Sequence, residues 1–198
     1  MLPSRVTLAS HNRGKWAEFA RLLQPLGVAV DFLEDAEGDI VDEVGTTYLE
    51  NARLKAMDVA RRLGVWALGD DSGLEVDALD GAPGIHSARF VSDDPWVNTR
   101  EILLRLTAVA WPGRTARMVA VLVLAAPDGR WYWAEGQVAG HILTYPRGYG
   151  GFGVDPIFSA DGRRSLAECS DAEKDAISHR GIACRRLFGG HAIPGSER

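Results

Sequence analysis

Between Arg117 and Leu143 the chain carries two long β-forming stretches, Arg117–Ala126 and Trp131–Leu143, separated only by Pro127-Asp128-Gly129-Arg130. Such turn chemistry between two apolar runs leaves room for a hairpin and little else. Around it, helical and strand patterns interleave. Arg5–Ser10 reads as a strand, and Asn12 can cap a helix with Trp16, Phe19, Ala20 and Leu23 on one face. Val28–Leu33 is a second strand, and Val65–Leu68 a short buried one that runs into the turn-like Gly69-Asp70-Asp71-Ser72-Gly73. Thr47 with Glu50, and Ser170 with Glu173, are capping boxes; the first opens a helix with Leu49, Ala52, Ala56, Ala60 and Leu63 inward. Asp94-Pro95 starts another helix to about Ala108, and Ser178 can cap a last one ended by Gly189-Gly190. A hairpin inserted into α/β alternation rules out a purely parallel sheet. The expected class is α/β with a mixed β-sheet and flanking helices.

At 198 residues the chain fits one domain, 1–198, or two lobes sharing one core. A net charge of −5 opposes a broad nucleic-acid surface, which would be basic. The longest uncharged apolar run, Met118 to Pro127, is far short of the roughly 18 residues of a membrane helix. No basic-then-apolar leader is seen and Cys169 and Cys184 suggest no disulfide framework, so the expected setting is cytoplasmic, without membrane partners. Of the 22 lysines and arginines only Lys15, Lys55 and Lys174 are lysine. Either coding bias did this, or those three positions need a compact ammonium rather than a planar fork.

Several segments have both a chemical and a bland reading. In Ser10-His11-Asn12-Arg13-Gly14-Lys15 a strand ends and a helix begins, a place where backbone N–H groups and the helix dipole favour an anion. Alternatively, Asn12 merely caps the helix and Lys15 is solvated. Asp70 and Asp71 are adjacent, so they point to opposite faces and need different partners. One of them can hold a divalent cation or take a proton from water; both can equally be turn residues. Glu43 follows an acidic stretch from Glu34 and can serve as a lone metal carboxylate or lie in a solvated loop. Asn51 and Lys55 share a helix face that meets a phosphate or nothing. Gly148–Gly153 matches G-x-G-x-x-G, but Val154-Asp155-Pro156 cannot supply the helix a dinucleotide site requires. Phe152 beside Asp155 instead suits a planar ring, or Phe152 is simply buried. Lys174, with His179 and Arg180, offers donors near helix starts to a carbonyl or phosphate, although a lone histidine there is more often structural.

The stretches TLASHNRGKWAEF, DEVGTTYLENARLKA, GDDSGLEVDALDGAPGIHSARF, GYGGFGVDPIF and ECSDAEKDAISHRGIA, in that order, resemble the inosine triphosphate pyrophosphatase family over nearly the whole chain. The resemblance implies a mixed α/β fold in two lobes around a central cleft, a homodimer, and Mg²⁺-dependent hydrolysis of ITP, dITP and XTP to the monophosphate and pyrophosphate. Carried over by position, it implies Asp71 as the catalytic carboxylate and Glu43, Asp70 and Asp71 as metal-facing residues. Substrate would be met by Ser10, Asn12, Lys15, Lys55 and Ser72, the base by Phe152, Asp155, Lys174, His179 and Arg180. The chain departs from the family pattern at His11 for a usual glycine, Val154 for a common aromatic, and Asp175 for a frequent asparagine. Two rival readings are a related pyrophosphatase of pyrimidine or broad specificity, and a nucleotide-binding module without turnover.

Overall fold

The computed structural model describes residues 2–34 and 38–196. Among them run seven strands: β1 (Arg5–Leu8), β2 (Ala29–Asp31), β3 (Ala67–Val76), β4 (Thr115–Ala125), β5 (Trp131–Ile142), β6 (Phe158–Ser159) and β7 (Ile193–Pro194). They form one sheet in the order β2-β1-β3-β4-β5-β6, with β7 also pairing β5. The sheet is mixed, as expected: β1 pairs β2 and β3 in parallel, whereas β5 pairs β6 and β7 antiparallel. The hairpin turn closes with Ala126 N–H donating to the Arg130 carbonyl at 2.8 Å, and Gly129 takes the positive φ of 94° that the turn needs.

Among the described residues five α-helices accompany the sheet: α1 (Arg13–Leu23), α2 (Tyr48–Leu63), α3 (Pro95–Arg105), α4 (Asp171–Ile177) and α5 (His179–Phe188). Their starts follow the caps legible in the sequence. Asn12 Oδ1 accepts the Lys15 N–H, Asp94 accepts the Trp96 N–H, and Thr47/Glu50 and Ser170/Glu173 close as reciprocal boxes. Each such cap contributes about 1 kcal/mol. A further capping box, Ser165 with Glu168, opens a short 3₁₀ turn that the sequence reading did not single out.

The chain divides into two compact units. The first comprises residues 1–71, 120–136 and 180–198. Its core has two clusters: Val6, Leu8, Phe19, Leu23, Leu122, Leu124 and Leu187, and the small-residue face Ala52, Ala56 and Ala60 of α2 with Leu33, Val121 and Val123. The second comprises residues 72–119 and 137–179, with Leu74, Val76, Ile102, Leu106, Met118, Ile157 and Phe158 inside. There Arg114 is buried and donates to the carbonyls of Ile142, Leu106 and Leu143 at 2.7–3.0 Å, tying the end of α3 to the end of β5.

One expectation fails. The segment Gly69–Gly73 is no turn after a short strand; it is the middle of the ten-residue β3. Pairing with β1 stops at Leu8–Leu68, but β3 continues beside β4. Its far end is held by Arg117 Nε to Glu75 and Thr115 Oγ1 to Asp77, both 2.6 Å. Glycine at 69 serves close approach instead: a Cβ there would run into the Ala52 carbonyl of α2. Of the acidic stretch between Glu34 and Glu43, residues 35–37 lie outside the described residues.

Candidate active site

Because β3 is a strand, Asp70 and Asp71 project to opposite faces, and each finds its own partners. Asp70, 2% exposed, lies among cations: Lys15 Nζ from α1 approaches Oδ2 at 2.8 Å, and Arg180 from α5 reaches both oxygens at 3.3 Å. Arg180 is held in turn by Glu18 Oε2 at 3.0 Å. Burial pushes the Asp70 carboxyl up, but Arg180 and Lys15 outweigh it and hold the group far below the usual carboxylate range. Lys15 is lowered, burial prevailing over the attraction of Asp70.

Asp71 faces α2. Asn51 Nδ2 donates to Oδ2 at 3.2 Å, and Lys55 Nζ lies 3.4 Å from Oδ1. The same ammonium donates to Glu43 Oε1 at 2.5 Å and to the Asp70 carbonyl at 2.6 Å. Asn51 also accepts the Gly45 N–H at 2.8 Å, which fixes the loop that carries Glu43. Burial drives the Asp71 carboxyl up to about 6, with Lys55 opposing and Glu43 and Asp70 adding to the rise. Two neighbouring carboxyls, one held ionised and one poised near neutrality, is the division of labour expected of acid–base chemistry.

Among the described residues there is no group of three or more His, Cys, Asp or Glu able to hold a metal ion. Mg²⁺ does not require one, since one or two carboxylates with water and phosphate oxygens suffice. The donor chemistry fits: Glu43 and Asp71 already turn two hard oxygens toward a single cation, the Lys55 ammonium. The carboxylate oxygens of Asp70, also expected to face the metal, are engaged by Lys15 and Arg180. Arg180, expected to face a base beside His179, is likewise a partner of Asp70 and Glu18 in the first unit. Lys15 and Lys55, expected at phosphate, meet carboxylates here. Ser10 Oγ accepts the Asn12 N–H at 3.2 Å, so the first loop is a tight turn before α1, and His11 Nδ1 lies 3.2 Å from the Leu33 carbonyl.

In the second unit another constellation forms on its own. Lys174 Nζ of α4 pairs with Asp155 Oδ2 at 2.7 Å, and both side chains are almost wholly buried. Asp155 Oδ2 also accepts the Phe152 N–H at 2.8 Å, and the Phe152 ring stands over Lys174 with its centroid 5.1 Å from Nζ. Gly151, at φ 68°, makes room for the Asp155 carboxylate, which a side chain there would strike. The expected ring-holding pair is thus brought together with Lys174. His179 is buried, and half-buried Ser72 opens the second unit directly after Asp71. No helix follows Gly148–Gly153, in keeping with the rejected dinucleotide reading.

Glu18 has no site role in the sequence, and Asn51, read there only as sharing a face with Lys55 that meets a phosphate or nothing, donates to Asp71. Glu18 had a signal: it falls three residues after Lys15 and four before Leu22, on one helix face, where a charge amid apolar residues asks for a partner. An open cavity of about 870 Å³ on the outer side of α2, lined by Val44, Arg53, Leu54 and Arg61 among others, contains none of the expected site residues.

A model of the Ham1 family matches residues 6–189. A dITP/XTP pyrophosphatase of Thermosynechococcus vestitus is 46% identical over 187 residues, covering 93% of each chain. One of Nitratidesulfovibrio vulgaris is 45% identical over 200 residues, covering 95% of this chain and 96% of its own. Among solved structures, a HAM1 protein from Coxiella burnetii aligns with a TM-score of 0.80 at 36% identity, covering 96% of this chain and 98% of that one.

Proposed function

This chain belongs to the Ham1 family, and we propose that it is a nucleoside triphosphate pyrophosphohydrolase that clears ITP, dITP and XTP from nucleotide pools. The observation that carries the reading is the pair of opposed carboxylates in β3, Asp70 engaged by cations and Asp71 raised to about 6 beside Lys55 and Glu43. Relatives named dITP/XTP pyrophosphatase supply the substrate class.

In this reading Asp71, held in place on β3, takes the proton of the water that attacks the α-phosphorus. Asn51 orients it through Oδ2. Asn12 and Lys15, at the start of α1, and Lys55 face the triphosphate, whose roughly four negative charges need local cations in a protein of net charge −5. Asp70 keeps Lys15 and Arg180 in place beside the metal-facing pair. When bound, Mg²⁺ held by Glu43 and Asp71 would neutralise phosphate charge and polarise the scissile group.

The base falls to the second unit. Phe152 offers a stacking face, and Lys174 and His179 offer donors to a 6-oxo group. A 6-amino group would leave them unpaired, at about 1–3 kcal/mol each. We read residues 1–198 as one functional domain, acting as a homodimer in the cytoplasm, on the family resemblance.

The test is product analysis with Mg²⁺ and ITP, dITP, XTP, ATP, GTP and dTTP. Pyrophosphate from the first three, with ATP and GTP slower by tenfold or more, is expected. Orthophosphate release or equal rates for ATP and ITP would overturn the reading, and binding without turnover would leave only a nucleotide-binding module. Asp71→Asn should retain ITP binding within several-fold and lose hydrolysis.

A further inference from the structure

Lys55 occupies the spot where the divalent cation is needed. Its Nζ lies 2.5 Å from Glu43 Oε1, 2.6 Å from the Asp70 carbonyl and 3.4 Å from Asp71 Oδ1, so all three N–H bonds of the ammonium have an oxygen to point at. The side chain is 5% exposed. Glu43 comes from a loop, Asp70 and Asp71 from β3, and Lys55 from the middle of α2, which a capping box fixes at its start. The other charges nearby offer Lys55 nothing better: Asp70's carboxylate is engaged by Lys15 and Arg180, and the Lys15 and Lys55 ammonium groups repel each other.

Resting on the reading of Glu43 and Asp71 as metal-facing, we infer that Lys55 is a tethered counter-ion that competes with the divalent cation for these two carboxylates until a triphosphate arrives. The charges make the case. Glu43 and Asp71 carry two negative charges, and Lys55 cancels one of them. A divalent cation placed on the same oxygens cancels both, and the ammonium then faces a cation in a buried setting with only the Asp70 carbonyl left. An unpaired buried ammonium is strongly disfavoured. The triphosphate removes the conflict by giving Lys55 a new anionic partner, so that cation and nucleotide each strengthen the binding of the other, reciprocally. Lys55 is then a gate against futile metal loading as well as a phosphate ligand.

The experiment measures Mn²⁺ binding to the nucleotide-free protein by the electron paramagnetic resonance of free Mn²⁺, in wild type, Lys55→Gln, Asp71→Asn and the double variant. Lys55→Gln should bind Mn²⁺ about tenfold more tightly than wild type, and Asp71→Asn should weaken Mn²⁺ binding in both the wild-type and the Lys55→Gln backgrounds. Equal or weaker binding by Lys55→Gln, with Asp71 still required, overturns the counter-ion role and leaves the metal reading standing. Mn²⁺ binding that ignores Asp71→Asn overturns the metal reading, and the inference with it. If Lys55→Gln does not fold, the side-chain ¹⁵Nζ resonance of Lys55 in the wild type decides. Saturating Mg²⁺ alone should shift it and speed its proton exchange; an unmoved resonance overturns the inference.

Discussion

Asp70 and Asp71 share a peptide bond yet live in different electrostatic worlds. Two cations hold Asp70 ionised against its burial, whereas burial dominates at Asp71 and lifts it to about 6. For a carboxyl raised in the folded state, stabilisation is complete below its unfolded value near 4 and is lost as pH rises through the folded value. In metal-free protein, Asp71 therefore subtracts stability between about pH 4 and pH 6. Asp71→Asn should remove that loss and stabilise the metal-free protein by about 1–3 kcal/mol at pH 7.5 while leaving pH 4 nearly unchanged. Urea unfolding at both pH values checks it, and an equal effect at both would refute it. The mutation expected to abolish turnover is thus expected to strengthen the fold. At this scale the sequence singles out chemically capable side chains but not whom they meet. Arg180 lies 110 residues from Asp70 and 162 from Glu18, so no local pattern joins them. Arg180 was consequently expected at a base and Asp70 at a metal.

Elements were more legible, because their signals are local. Capping boxes at Thr47 and Ser170, the caps at Asn12 and Asp94, and the turn around Gly129 all sit within a few residues of what they control. β3 is the exception, for the complementary reason. Two glycines and two aspartates over five residues look like a turn, and the strand's persistence depends on its neighbour β4 and on α2. Gly69 is the contact point, with the Ala52 carbonyl against it and the Ala56 methyl close by. Gly69→Ala should force α2 and β3 apart and cost about 2–3 kcal/mol, an overpacking penalty. Because Asn51 and Lys55 ride on α2, turnover should fall further than stability alone explains. Thermal unfolding alongside kcat at a temperature where the variant is fully folded separates the two effects; wild-type kcat there would refute the coupling.

Across the whole molecule, one asymmetry of composition gains a physical meaning. Arginines form surface pairs such as Arg5–Asp31, Arg105–Glu101 and Arg130–Asp128, although buried Arg180 shares Asp70 with Lys15. All three lysines are instead partnered to aspartates of the two constellations: Lys15 to Asp70, Lys55 to Asp71, Lys174 to Asp155. A compact ammonium fits these narrow places, and the sequence hinted at this only by the scarcity of lysine. The side chain of Lys15 is 21% exposed, against 5% for Lys55 and 4% for Lys174. Amine-directed acylation should thus modify Lys15 first among the lysines, inactivate the protein in step, and slow when a triphosphate is present; peptide mapping by mass spectrometry follows it. Routine dye labelling or amine coupling to a sensor chip, harmless for most proteins, would here silence every molecule it tags at Lys15.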